Sequence, residues 1–228
     1  MASSEETHAV LYSYFRSSCS ARLRIALNLK ELPYEFKYVN ILKGEQLPEE
    51  FDAINPSHFV PSLRLSGGEG PPITLVQSVA LLEYLEEKHP QSRPLLPPAS
   101  DPLGRARVRA LVNVVACDIQ PVTNLRILKR VRALGGSAEE WSKELMTEGL
   151  VAYEKLVQDT AGVYSCGDSV TLADICLVPA VWGAQRFGVE LDSMPSVMRI
   201  FDAMSRLDAV KKAHWTTQED TPADLRAQ

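Results

Sequence analysis

The chain opens on a run of apolar and aromatic residues, 9–15 (AVLYSYF), which predicts a buried strand. Arg16-Ser17-Ser18 ends that run, and from Cys19 to Leu32 the spacing becomes helical, with Leu23, Ala26, Leu27 and Lys30 at i, i+3, i+4 and i+7. Either serine can cap the helix, because a hydroxyl accepts from the unpaired N–H groups of a first turn. Tyr34 to Val39 alternates at period two, the pattern of a strand with one buried face. Pro48 to Ile54 predicts a short helix closed by Asn55-Pro56. Val60 to Leu65 reads as a third strand, Ser66 to Pro72 as a glycine-rich turn, and Ile73 to Val76 as the returning fourth strand. Ser78 then caps a helix with Leu81, Leu82 and Leu85 inward and Glu83, Glu86 and Glu87 outward, stopped by Pro90. The predicted order over residues 1–90 is β-α-β-α-β-β-α.

The next stretch, residues 91–101, carries Pro94, Pro97 and Pro98 and predicts a linker. Residues 102–228 show no strand pattern and predict an all-helical domain. Asp101-Pro102 is an N-cap followed by proline at the first helical position, and Pro121 should interrupt the helix that follows. Ser137 with Glu140, and Thr171 with Asp174, have capping-box spacing, with Val170 and Ile175 placed as a hydrophobic staple for the second. Pro179 should bend its helix, and Pro195 should open a last helix running to about Leu207. The fold class is therefore an α/β N-terminal domain joined to an all-α C-terminal domain.

Composition narrows the function. The 228 residues are 45% hydrophobic and 23% charged with a net charge of -5, an ordinary globular balance that does not suggest a nucleic-acid partner. Basic residues gather at Arg105, Arg107 and Arg109 and at Arg126, Lys129, Arg130 and Arg132, where a solvated helix face is the simplest reading. No apolar run reaches the roughly 18 residues of a membrane span. The polar, acidic opening Met1–His8 lacks the layout of a secretion signal. The four cysteines form no C-x-x-C pair and no disulfide framework, and the four histidines are scattered, so no metal site is expected. A reducing, cytoplasmic setting follows.

Three places concentrate chemistry. Ser17-Ser18-Cys19 lie between the first strand and the first helix, where free N–H groups and the helix dipole favour an anion. No phosphate loop and no G-x-S-x-G elbow is present, which leaves a thiolate, from Cys19 or from a bound thiol. A free thiol ionises near pH 8.5, and lowering that by about two units takes roughly 2.7 kcal/mol. A donating serine hydroxyl and helix N–H groups can supply this. Val60-Pro61, ahead of the third strand, can leave Val60 with backbone groups open to an extended peptide; X-Pro bonds are mostly trans, and cis is possible. Gln77-Ser78, at a second helix N-terminus, can hold a carboxylate. Each feature is equally an ordinary cap or strand-entry proline when taken singly. All three fall at the same kind of place in one β-α-β-α-β-β-α unit.

That arrangement, followed by an all-helical domain, resembles the soluble glutathione transferase superfamily with its thioredoxin-like N-terminal domain. Within it, Ser17-Ser18-Cys19-Ser20-Ala21-Arg22-Leu23-Arg24-Ile25-Ala26-Leu27 is similar to the S-S-C-S-x-R-x-R-I-A-L signature of the zeta class. Asn55-Pro56, Gln77-Ser78, Glu83-Tyr84-Leu85-Glu86-Glu87, Ile119-Gln120-Pro121, Asn124-Leu125, Gly167-Asp168, Thr171-Leu172-Ala173-Asp174, Arg186-Phe187 and Asp220-Thr221-Pro222 extend the likeness over nearly the whole chain. Three features depart from it: Ala21 where tryptophan is frequent, an apolar Phe59 where a polar residue is frequent, and a longer 66–72 hairpin.

The resemblance implies glutathione as cofactor, a small acidic substrate and a homodimer. It implies isomerisation of maleylacetoacetate to fumarylacetoacetate, in tyrosine and phenylalanine catabolism, by thiolate addition, bond rotation and elimination. It places Ser17, Ser18 and Cys19 at the glutathione sulfur, with Ser17 leading. Ser20 and Arg22 stand beside them, Gln46 near the glycine end, Val60 on the cysteinyl backbone, and Gln77 and Ser78 at the γ-glutamyl end. Gln120 and Asn124 are helical-domain residues of the same site, and Arg186 and Arg16 are cations for the substrate carboxylate. Conjugation or dehalogenation of small α-halo acids uses the same thiolate. A Cys19 monothiol disulfide reductase and a non-catalytic binding module remain alternatives.

Overall fold

The computed structural model describes residues 8–67 and 70–227. The reading of Met1–Thr7, and that of Gly68-Glu69 within the hairpin turn, lie outside the described residues. The chain forms two compact units, one of residues up to Arg93 together with Ala209 onward, the other Pro94–Asp208. Residues 209–228, which chain order places in the helical domain, thus belong to the first unit.

The first unit holds a four-stranded sheet of β1 (His8–Ser13), β2 (Glu35–Tyr38), β3 (Ser62–Ser66) and β4 (Ile73–Val76) in the order β2-β1-β3-β4. β1 runs parallel to β2 and antiparallel to β3, and β3 and β4 make the antiparallel hairpin. Two helices belong to it, α1 (Ser18–Leu29) and α2 (Ser78–Lys88). The short helix expected over Pro48–Ile54 is only a single 3-10 turn, Glu49–Phe51. Successive strand residues face opposite sides. Leu11 and Leu63, paired across β1 and β3, are fully buried on one. On the other, Tyr12 joins a cluster of Tyr14, Phe15, Val39, Phe51 and Val60, against which Trp215 and Leu225 of the tail pack. That apolar contact explains why the tail returns to this unit.

Nine of the twelve α1 residues are buried, so its polar side chains need internal partners. Lys30, just past its end, forms a 2.8 Å ion pair with Glu86 of α2 and donates to the backbone oxygens of His89, Ser92 and Arg93. Glu86 therefore faces inward, contrary to the outward position its sequence pattern suggested, because the buried lysine needs its charge.

The second unit is helical: α3 (Pro102–Asn113), α4 (Leu125–Ala133), α5 (Ala138–Val157), α6 (Leu172–Arg186), α7 (Pro195–Ser205) and the start of α8 (Asp208–Ala213). Asp101 caps α3 with Pro102 in its first turn, and Ser137 caps α5 by accepting from Glu140 N–H at 3.1 Å. The break expected at Pro121 begins earlier. After Asn113 the chain widens into a π-helical stretch, Val114–Ile119, with Gln120 N–H bonding to Val115 O at 3.0 Å, and a 3-10 turn carries Pro121–Thr123. Pro121 has no N–H to give and its ring would meet the carbonyl one turn back, so the regular ladder cannot continue. The helix expected to run from Pro195 to Leu207 stops at Ser205, and α8 follows separately.

Candidate active site at one end of the sheet

Strand register sets the site. Tyr12 pairs with Ser62, and Ser62 pairs with Val76, so these three lie in one row across β1, β3 and β4. The β1–α1 turn, the Val60-Pro61 step and Gln77-Ser78 all leave the sheet beyond that row, at the same end. The three candidate places are adjacent because of strand direction, which spacing along the chain does not reveal.

Ser17 is the N-cap of α1, with extended backbone at φ -73° and ψ 117°. Its Oγ accepts from Ser20 N–H at 3.1 Å, and its own N–H donates to Tyr14 O at 3.0 Å. With the hydroxyl oxygen accepting from Ser20, its proton has no acceptor among the described residues and is available to donate. Among the described residues the N–H groups of Ser18 and Cys19 have no acceptor, as first-turn groups ordinarily lack one. Ser17, Ser18 and Cys19 are all half-buried. One hydroxyl and two N–H groups thus converge where the helix dipole is positive, a setting for an anionic sulfur.

Val60 is buried, and its bond to Pro61 is cis. Among the described residues its backbone makes no hydrogen bond, which leaves one N–H and one C=O for an extended peptide. Upstream, Asn55 donates to Phe59 O at 2.9 Å and accepts from Ser57 N–H at 3.0 Å, shaping the approach to Val60.

Gln77 precedes α2 with φ 71° and ψ 110°, a left-handed backbone rare for a residue with a side chain. Its side chain is exposed and makes no capping bond. Strain of this kind persists where surrounding structure imposes it, commonly at binding sites. Ser78 does not cap α2 as its position suggested. It is the first helical residue, and its Oγ accepts from Arg22 Nη1 at 3.0 Å. Arg22 is therefore buried against Ser78, joining α1 to the start of α2, and is not displayed to a ligand. Ser20 is likewise fully buried, and only its N–H serves the turn, through Ser17.

Gln46 is half-buried, with a buried Oε1 that has no hydrogen-bond partner. Its backbone oxygen lies 2.7 Å from His58 Nδ1, and His58 Nε2 lies 3.0 Å from Asp52. Arg16 is half-buried with its guanidinium 5.4 Å from the Phe15 ring centroid. The remaining candidates belong to the second unit. Gln120 ends the π-helical stretch, and the Asn124 amide caps α4, accepting from Ile127 N–H at 3.0 Å and donating to Pro121 O at 2.7 Å. Arg186 sits exposed in the last turn of α6, 4.5 Å over the Phe187 ring.

Two opposing effects are expected of Gln77→Gly. Glycine adopts positive φ without penalty, so the variant should be more stable by about 1 kcal/mol in urea unfolding. If Gln77 has the γ-glutamyl role that the resemblance implies, losing the amide should raise KM for glutathione about ten-fold. An unchanged KM would remove Gln77 from the binding site.

The groups at this sheet end suit a tripeptide thiol: an anion-stabilising turn, an unpaired backbone for the peptide, and a strained polar residue at a helix start. Comparison with known proteins agrees. Residues 16–88 match the family model of the glutathione S-transferase N-terminal domain, and residues 128–208 that of the C-terminal domain. A maleylacetoacetate isomerase of Aspergillus fumigatus is 54% identical, over 99% of this chain and 98% of its own. The maleylacetoacetate isomerase of Mus musculus is 46% identical over 95% and 97%. A crystal structure of maleylacetoacetate isomerase from Anaeromyxobacter dehalogenans, with GSH bound in the active site, superposes with a TM-score of 0.88 at 42% identity, covering 96% of this chain and all of that one. A maleyl pyruvate isomerase described as a zeta-class bacterial glutathione S-transferase gives 0.85 at 42%, over 93% of this chain and 100% of its own. The chain belongs to the glutathione S-transferase family, within its zeta class.

Proposed function

We propose that this protein is a glutathione-dependent cis–trans isomerase that converts maleylacetoacetate to fumarylacetoacetate. The observation that carries the reading is the Ser17 hydroxyl, held as an acceptor by Ser20 N–H at 3.1 Å so that its proton is free to donate beside the unused N–H groups of Ser18 and Cys19. Glutathione, when bound, supplies the thiolate that adds to the cis double bond, permits rotation and leaves again. The chain's own task is to favour the ionised thiol and hold the substrate. Ser17 donates to the sulfur, and the Ser18 and Cys19 N–H groups add the positive end of α1. Val60 offers its backbone to the cysteinyl residue, Gln77 its amide to the γ-glutamyl end, and Gln46 its amide near the glycine end. Arg22 acts one step removed, by fixing Ser78.

Arg186, exposed at the end of α6, and Arg16, immediately before Ser17, are the cations we assign to the substrate carboxylate. Gln120 and Asn124 are assigned to the same site from the helical unit. A homodimer in the cytoplasm completes the reading. The dimer is supported by family membership, and the reducing compartment by four cysteines that are free thiols. Conjugation of small α-halo acids is expected as a side activity of the same thiolate.

The test is conversion of maleylacetoacetate by the purified protein with and without glutathione. Strict dependence on glutathione is expected. Glutathione binding without conversion would move the function to conjugation or dehalogenation.

A further inference from the structure

Arg24 heads the largest fully buried side chains of the protein. Its guanidinium makes four hydrogen bonds: Nε to Ala213 O at 3.1 Å, Nη1 to Ser13 Oγ at 3.1 Å and Tyr14 O at 3.4 Å, and Nη2 to Phe15 O at 3.0 Å. Burial lowers its pKa to about 10, so it is still a cation at neutral pH. Burying a cation is costly, and hydrogen bonds to neutral groups do not balance its charge.

The tail brings a carboxylate to the same backbone, and its charge reaches Arg24 without an ion-pair contact. Asp220 Oδ2 accepts from Phe15 N–H at 2.8 Å, and Asp220 and Arg24 attract one another. The second oxygen of Asp220 is buried with no hydrogen-bond partner. Residues 14 and 15 are therefore held from two sides. The guanidinium of α1 grips their carbonyls, and a carboxylate more than 200 positions away grips the Phe15 N–H. The Tyr14 oxygen that Arg24 holds is the same atom that receives the Ser17 N–H at 3.0 Å. A serine N-cap needs none of this, since it bonds within its own first turn. A buried hydrogen-bond network placed two residues before the proposed active serine instead restricts where that serine can sit.

We propose that Asp220, acting through Arg24 and the Tyr14–Phe15 backbone, is a positioning residue that aims the Ser17 hydroxyl, so that the C-terminal tail is a working part of the glutathione site. The proposal rests on the glutathione reading above.

Two variants test it, with thermal melting to confirm folding. Asp220→Ala removes the acceptor of the Phe15 N–H. It should lower kcat about ten-fold and raise the pKa of bound glutathione by about one unit, read from ultraviolet thiolate absorbance, with KM for the acidic substrate nearly unchanged. Asp220→Asn keeps an oxygen for the Phe15 N–H but not the charge, and should recover the part of both losses that the Phe15 bond carries, about half. If the alanine variant does not fold, Asp220→Ser, too short to reach the Phe15 N–H, carries the same expectation. A folded alanine or serine variant with wild-type kcat and thiol pKa overturns the proposal. So does equal loss in the asparagine variant without any shift of the thiol pKa, which marks a merely structural role. Glutathione binding by the wild type, measured by calorimetry alongside, separates the two readings: no binding there overturns the glutathione reading itself.

Discussion

Ser17→Ala is expected to reduce kcat/KM for isomerisation by about 100- to 1,000-fold, the loss typical of removing one donor from a developing or stabilised anion. The hydroxyl has two tasks at once. Its oxygen accepts from Ser20 N–H, which organises the first turn of α1, and under the proposed reading its proton is the donor to the glutathione sulfur. Alanine ends both. The capping loss alone is worth about 1 kcal/mol of stability, too little to unfold a domain of this size. Binding of glutathione should largely survive, because the proposed contacts at Val60 and Gln77 are separate from Ser17. The defect should therefore fall on kcat and on the pH at which the bound thiol ionises, both measurable by stopped-flow absorbance. Ser17→Thr keeps a capping hydroxyl and should retain far more activity. The partner experiment is Cys19→Ala. Under the isomerase reading it leaves turnover largely intact. If Cys19→Ala abolishes a disulfide reductase activity while Ser17→Ala spares isomerisation, Cys19 is the nucleophile and the assignment is wrong.

The largest expected loss of stability lies in the helical unit, at Asp174. Its carboxylate is fully buried and receives Ser165 N–H at 2.7 Å, Thr171 N–H at 2.7 Å and the Thr171 hydroxyl at 2.9 Å. Burial pushes its pKa up, and the hydrogen bonding of Ser165 and Thr171 opposes that shift. The same carboxylate ties the start of α6 to the 160–168 loop, where Ser165 meets Tyr153 at 2.8 Å. Asp174→Ala leaves two buried N–H groups without acceptors and removes the reciprocal half of the cap. Each stranded group costs about 1–3 kcal/mol, and we expect a total of about 3 kcal/mol. In thermal unfolding this amounts to a Tm lower by about 6–12 °C. Asp174→Asn retains one acceptor oxygen and should lose roughly half as much. An alanine variant within about 1 kcal/mol of wild type would mean that water enters and satisfies the exposed groups.

Much of the first unit was legible in the chain because its signals are local. The apolar run before Ser17, the alternation of residues 34–39 and the glycine-rich turn before Ile73 each name one element through one period. The Ser17-Ser18-Cys19 run was visible for the same reason: a helix start needs a cap, and the cap sits beside the residues it serves. Errors gathered where one side chain has to answer to another far away. Glu86 has the spacing of an outward glutamate, and Ser78 that of a cap. The first turns inward because Lys30 is buried opposite it, and the second receives Arg22 in place of its own helix N–H groups.

What the sequence alone determined was the alternation that builds each strand and helix, the turn chemistry between them, and the serine pair that can polarise a thiol. Tertiary structure decided which end of the sheet gathers Ser17, Val60 and Gln77, since that follows from strand direction and register. It also decided that Asp220 reaches Phe15 across the length of the chain. Hydrophobic period and capping act over a few residues and are written in order. Charge neutralisation and hydrogen-bond satisfaction in a buried interior act through space, and a linear chain does not record which of its groups will meet.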